Sequence, residues 1–311
     1  MKSIGLFAYG EMGQSALKAL LPSFFIQWIM LPPKNTQSDR EKGTEKLARE
    51  NKIPVYYQNA LKDLQQFFQN QKLDAVVIAS FNKILPETIL EKTTFINVHL
   101  GDLPRYRGRA NINWAIINGR KDIGVTIHQM IPDLDGGNIY KQKTLQIKND
   151  DTVKTVYDAI NDFLEKQLVS VVTKVIDGYK GKPQKGKATY TCTRLPEDGL
   201  IDWNASNKEI YNFIRGLTYP YPGAFTYFEG KKMIIWSAEL LKKPKVYEGV
   251  IPGRIGSIIK DVGVEVLTKK GPILIKEITY EGKKQNASSV IKSVKKTLGI
   301  NWLALYEQLN K

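Results

Sequence analysis

The sequence predicts an α/β protein, a Rossmann-like and mostly parallel sheet with helices on both faces, followed by a smaller β-rich, OB-like barrel domain. Three observations predict it. Short apolar runs alternate with helical patterns up to about residue 177. A stretch rich in Gly, Lys, Pro and Thr then interrupts the chain at 178–200. Beyond it, short strand-like runs recur at roughly ten-residue spacing, punctuated by glycines.

The first apolar run, residues 3–8 (SIGLFA), leads through Tyr9 and Gly10 into a helical pattern with Ala16, Leu17, Leu20 and Leu21 on one side. Gly10 and Gly13 stand where dinucleotide-binding folds cradle a phosphate. The full Gly-x-Gly-x-x-Gly fingerprint is absent, however, so a plain tight turn is the expectation. A second strand at 25–31 precedes a polar loop, a helix near 41–51, a short strand from Ile53 to Tyr56 and a helix through 59–70. LDAVVIAS (73–80) reads as a fully buried strand and FINVHL (95–100) as the next. A long helix near 152–177 closes this part. From about residue 204, the helix NKEIYNFIRGL precedes a turn-rich TYPYPGAF and five short strands. The expected division is therefore a domain at 1–190, a linker at 191–203 and a second domain at 204–311.

With 311 residues, 42% of them hydrophobic and 25% charged, the chain has the composition of a packed globular protein. Its single cysteine, Cys192, excludes an internal disulfide and a cysteine-based metal cluster and fits a reducing compartment. Neither histidine has a second one at ligand spacing, so no metal is expected. The apolar N-terminus is broken by Tyr9, Gly10, Glu11, Gln14, Lys18 and Pro22 before it reaches membrane length, which points to a cytoplasmic protein without membrane insertion. The net charge of +15 attracts phosphate-bearing partners without naming one. Lysine supplies most of it, and a lysine-rich compositional bias explains it equally well.

The chain holds two histidines, His99 and His128. Asn97 lies two residues before His99 on a predicted strand, and the period of two turns both side chains to one face. The strand ends there, where open α/β sheets place their ligands. Transfer of an acyl group to an amine needs a donor for the developing oxyanion and a group that manages protons. Asn97 suits the first and His99 the second. A carboxylate normally holds such an imidazole, and both Asp133 and Asp135, in IPDLDGGNIY, are candidates on a loop. Residue types and spacing leave both open, and a purely structural histidine accounts for His99 as well.

Residues 96–140 resemble the signature of the formyltetrahydrofolate-dependent transferases. Asn-x-His opens the block, Leu-Pro-x-Tyr-Arg-Gly follows, and Leu-Asp-x-Gly closes it. The resemblance implies that Asn97 is the oxyanion donor, His99 the general acid/base and Asp135 the carboxylate that raises the pKa of His99. It implies 10-formyltetrahydrofolate as co-substrate, held by segments matching Phe81, Asn82, Lys83, Arg109 and the loop Ile131, Pro132, Asp133, Leu134 and Asp135. RLPEDGLIDW (194–203) and FIRGLTYPYPGAFTYF (213–228) extend the match into the second domain. One departure is Gly101-Asp102, where the family usually has Ser-Leu, with a local effect expected on the folate or acceptor side.

Within the family, the Arg-Gly-Arg-Ala-x-x-Asn-Trp run at 107–114 and Gly-Val-Thr-Ile-His at 124–128 look like the branch acting on nucleotide-linked amino sugars such as UDP-4-amino-4-deoxy-L-arabinose, for cell-surface polysaccharide or lipid modification. The tRNA-acting members typically carry methionine at the position of His128 and a strongly basic insertion. Here the corresponding loop (34–50) has five basic and four acidic residues. Against this, residues 205–311 contain 18 basic and 9 acidic residues, as a tRNA binder would need. The expected acceptor is thus an amino sugar, with initiator methionyl-tRNA as the alternative, and a homodimer is compatible with either. His128 is read as an acceptor or folate contact, or as a polar residue satisfied at a strand edge.

Overall fold

The computed structural model describes residues 1–36, 39–58, 61–300 and 306. They form two compact units. One comprises Met1–Asn111, Asp122–Gln146 and Val156–Cys192, the other Ile112–Lys121, Ile147–Thr155 and Thr193–Lys311. Two short segments from the first half of the chain therefore group with the C-terminal unit, a division that is not contiguous in sequence.

The first unit is built on β1 (Ser3–Ala8), α1 (Gly10–Leu20), β2 (Phe25–Leu31), α2 (Asp39–Glu50), β3 (Val55–Tyr57), α3 (Leu61–Phe68), β4 (Ala75–Ala79), α4 (Glu87–Leu90) and β5 (Phe95–His99). Of the helix expected through 59–70, residues 59 and 60 lie outside the described residues. After the two-residue β6 (Arg107–Gly108) and α5 (Asn111–Ile117), which falls in the other unit from Ile112 on, come β7 (Asp122–Gln129), β8 (Ile139–Gln146), α6 (Val153–Ile176) and β9 (Tyr190–Thr191). The main sheet has the order β3-β2-β1-β4-β5-β7-β8. Its first five strands pair in parallel, whereas β7 runs antiparallel to both β5 and β8. β4 is buried along its whole length, as its unbroken apolar run AVVIA requires of a central parallel strand. β8 lies at the edge and is exposed from Lys141 to Thr144, with two lysines that discourage a further strand from pairing. Phe7, Trp28, Phe68 and Phe95 form the aromatic core on this sheet, Trp28 meeting Phe7 and Phe68 edge-on.

The expected tight turn at Gly10 and Gly13 is instead the first turn of α1. Gly10 opens the helix with a φ of +62°, and a Cβ on Gly13 would collide with the backbone of Ala8, so glycine lets the helix lie directly on β1. The Gly10 N–H donates to the Glu41 carboxylate at 2.9 Å. This helix N-terminus is thus satisfied by the chain's own anion.

In the C-terminal unit α7 (Asn207–Leu217) starts at a capping box of Ser206 and Glu209. β10 (Ala224–Phe228), β11 (Lys231–Glu239), β12 (Ile255–Ile259), β13 (Gly263–Leu267), β14 (Pro272–Tyr280) and β15 (Lys283–Asn286) form an antiparallel sheet, followed by α8 (Ala287–Val290). The strand path is β10-β11-β14-β13-β12, with β15 on β14. Ile210, Ile214, Met233, Ile235, Val264, Ile273 and Ile275 fill its core together with Trp203. Trp203 also donates its indole N–H to Thr226, a packing role in line with its burial. Among the described residues no helix is long and apolar enough to cross a membrane.

Candidate active site

The site grows from the pairing of β5 with β7. Asn97 lies directly across from His128 and His99 across from Thr126, so alternation brings all four side chains to one face of the sheet. His99 and His128 are buried, at 6% and 1% exposure, with their rings edge-to-face at 5.9 Å. Burial of two imidazoles demands hydrogen-bond partners, and the backbone provides them.

For His99, Nε2 lies 2.7 Å from the Tyr106 carbonyl. A carbonyl only accepts, so Nε2 carries the hydrogen and Nδ1 is the basic nitrogen of the neutral ring. Nδ1 faces Asp135 Oδ1 at 3.4 Å. The Asn111 amide nitrogen lies 3.1 Å from Nε2; it is itself a donor, so it closes that edge of the ring without accepting the Nε2 hydrogen. For His128, Nδ1 lies 2.7 Å from the Gln129 carbonyl and must likewise donate. Its Nε2 therefore accepts, and the Asn97 amide nitrogen is 3.0 Å away.

Asp135 stands in the β7–β8 loop at a φ of +51°, a region that Asp and Asn tolerate better than most residues. Its Oδ2 accepts the Gly108 N–H at 2.9 Å, and its carbonyl accepts from Gln184 at 2.6 Å. Oδ1 is left facing both imidazoles, 3.7 Å from His128 Nε2. Asp133, the other loop carboxylate, turns away to Arg107 Nη1 at 3.0 Å, with its side chain 63% exposed. Geometry thus brings Asn97, His99 and Asp135 together and leaves Asp133 outside the cluster.

The remaining candidates differ in exposure and contacts. Phe81 is half-buried against Phe7 and Tyr9, with ring centroids 4.6 and 5.7 Å apart. Asn82 and Lys83 are exposed in the turn after β4, and Arg109 is exposed with its backbone N–H on Thr191. In the loop, Ile131 is half-buried while Pro132 and Leu134 are exposed. These side chains are not among those described above as building the hydrogen-bonded centre.

Of the departure at Gly101 and Asp102, Gly101 bears directly on the imidazole. A Cβ at Gly101 would stand 2.6 Å from the Tyr106 carbonyl and 2.7 Å from His99 Nε2, so glycine is what allows these two atoms to bond. Thr126 pins the Gly101 carbonyl at 2.6 Å. Asp102 pairs with Arg105 and leaves Oδ1 buried without a partner.

Of the two readings of His128, the one that places it at a strand edge is corrected by the sheet order. β7 is interior, between β5 and β8, so His128 is not at a strand edge. The alternation in DIGVTIHQ (122–129) signals the strand, but its antiparallel register against β5 is a tertiary fact. Burial first, and then the neighbouring His99, push the His128 pKa down to about 4, against the pull of Asp135, with Arg107 adding a smaller push in the same direction. In the unfolded chain a histidine titrates near 6.5, so between about pH 6.5 and 4 the unfolded state binds the extra proton. Stability should fall as pH drops through this window, by on the order of 2–3 kcal/mol. Urea denaturation at pH 7 and pH 4.5 checks it: the loss should be smaller by that amount in His128→Gln.

His99 Nδ1, His128 Nε2 and Asp135 Oδ1 lie within 4.8 Å of one another, so these are also the residues that could draw in a cation. Holding one would require Asn97 to release His128. As arranged, the centre offers an amide N–H, an imidazole with one open nitrogen and an adjacent carboxylate. That set defines a group-transfer site able to stabilise an oxyanion and accept a proton.

The chain belongs to the formyl transferase family: residues 34–172 match the formyl transferase domain and residues 195–295 its C-terminal domain. Over 271 residues it is 36% identical to a methionyl-tRNA formyltransferase of Staphylococcus epidermidis, covering 80% of this chain and 84% of that one. Over 246 residues it is also 36% identical to the bifunctional polymyxin resistance protein ArnA of Wigglesworthia glossinidia brevipalpis, covering 76% of this chain but 37% of that longer protein. Among solved structures, the N-formyltransferase of Helicobacter canadensis in complex with folinic acid and dTDP-3-aminofucose shares the fold. Its TM-score is 0.64 at 20% identity, over 88% of this chain and 99% of that one.

Proposed function

We propose that this formyltransferase carries the formyl group of 10-formyltetrahydrofolate to the primary amine of a nucleotide-linked amino sugar, with Asn97, His99 and Asp135 as its catalytic residues. The observation that carries the reading is the gathering of these three side chains at the buried pair of imidazoles. The amine, arriving neutral, attacks the formyl carbon and forms the new C–N bond. The Asn97 amide stabilises the oxygen as it becomes negative. His99 Nδ1 takes the proton the amine must lose, next to the Asp135 carboxylate, and returns it to the folate nitrogen as the old C–N bond breaks. Phe81, Asn82, Lys83, Arg109 and the loop from Ile131 to Asp135 hold the folate in this reading.

The amino-sugar acceptor is supported by the sequence likeness at 107–114 and 124–128 and by a histidine at position 128 within the site. A second reading, initiator methionyl-tRNA, is favoured by the 18 basic against 9 acidic residues of 205–311 and by the 36% identity to a tRNA-acting relative. Formyl transfer from 10-formyltetrahydrofolate to UDP-, GDP- and dTDP-linked 3- and 4-amino sugars, run beside charged initiator tRNA, separates them. Turnover of one nucleotide sugar and none of the tRNA is the expected result. Turnover of the tRNA alone would replace the acceptor and leave the catalytic assignment standing.

A further inference from the structure

We propose that His128 is a positioning residue for formyl transfer: its Nε2 holds the Asn97 amide with nitrogen turned into the centre, leaving one N–H for the formyl oxygen. The proposal rests on the reading of Asn97 as the oxyanion donor.

The two residues face each other across β5 and β7, so their contact is built into the register of the sheet. The Gln129 carbonyl, 2.7 Å from Nδ1, accepts only and therefore fixes the tautomer that leaves Nε2 as an acceptor. Asn97 Nδ2 then donates one of its two hydrogens to Nε2 at 3.0 Å, which commits the amide to one of two nearly isosteric orientations. Among the described residues this is the hydrogen bond that orients the Asn97 side chain. In the opposite orientation the amide oxygen would face His128 Nε2, acceptor against acceptor, and the direction of the remaining donor would be lost. At 1% exposure, His128 is closed off from bulk water. The depressed basicity of the ring keeps Nε2 free of a proton at neutral pH.

Two replacements separate the two ring nitrogens. His128→Asn keeps an N–H near the position of Nδ1 and has nothing at Nε2, whereas His128→Gln brings an amide oxygen to the position of Nε2. Steady-state formyl transfer is measured with 10-formyltetrahydrofolate and UDP-4-amino-4-deoxy-L-arabinose, or charged initiator tRNA if that is the acceptor, and thermal unfolding is followed in parallel. His128→Asn should lower kcat by about 10- to 100-fold, part of the loss expected for removing an oxyanion donor outright. The KM for the folate should stay within about threefold, and His128→Gln should keep kcat within about fivefold of the parent. The loss should vanish when His128→Asn is made in an Asn97→Ala background, because the two residues act as a unit. If His128→Asn does not fold, His128→Met fills the space without a strong acceptor and carries the same expectation. An unchanged kcat, or an equal loss with and without Asn97, overturns the proposal. A wild-type kcat in Asn97→Ala alone would instead overturn the reading on which it rests.

Discussion

Replacing His99 by alanine should lower kcat for formyl transfer by about three orders of magnitude, within the range expected for loss of a positioned acid/base. The proton leaving the amine has one open nitrogen to go to. Nε2 of His99 is tied to Tyr106, so the work falls on Nδ1. His128 cannot substitute: its Nε2 is taken by Asn97 and its Nδ1 by the Gln129 carbonyl. The KM values should move little, because the imidazole is buried and in this reading acts in the transition state. Single-turnover formyl transfer, with circular dichroism to confirm folding, checks the expectation. A variant within tenfold of the parent would mean that the proton leaves by another route.

The second large effect is expected at Asp135. Asp135→Asn should cost kcat about 10²- to 10³-fold, although asparagine fits the same φ of +51° and its amide oxygen can still accept the Gly108 N–H. In that arrangement the new NH2 group faces His99 Nδ1, across the 3.4 Å gap, and donates to it. The basic nitrogen is capped, and the negative charge that accompanies the imidazolium is gone. Asp133→Asn supplies the contrast two residues away. Asp133 is held by Arg107 with its side chain 63% exposed, so its change should act on the KM for the folate and alter kcat by less than about fivefold. Equal losses of kcat at the two positions would mean that the loop conformation, and not the carboxylate beside His99, is what matters.

Much of this centre is legible in one dimension. A strand's alternation is a local property, so Asn97 and His99 on one face follow from their spacing. The unbroken run AVVIA and the alternation of strands with helices identify the α/β class, because burial on both faces of a parallel sheet leaves no polar positions. The resemblance across 96–140 then selects the chemistry. From residue types alone, the choice between Asp133 and Asp135 stays open. Both lie on the same loop, and their difference is a matter of which one a left-handed backbone and the Gly108 N–H turn towards the imidazole.

The sequence by itself determined the α/β class, the family and the residue types able to move a formyl group, since periodicity, composition and motif order are properties of neighbours along the chain. Only the tertiary structure decided that β7 runs antiparallel beside β5, that Asn97 meets His128, and that the Tyr106 and Gln129 carbonyls set the two tautomers. It likewise decided that the Gly10 N–H meets the Glu41 carboxylate. Each of these is a contact between residues distant in sequence or a choice of hydrogen-bond direction. Such contacts are selected by burial, which leaves a polar atom no water to fall back on.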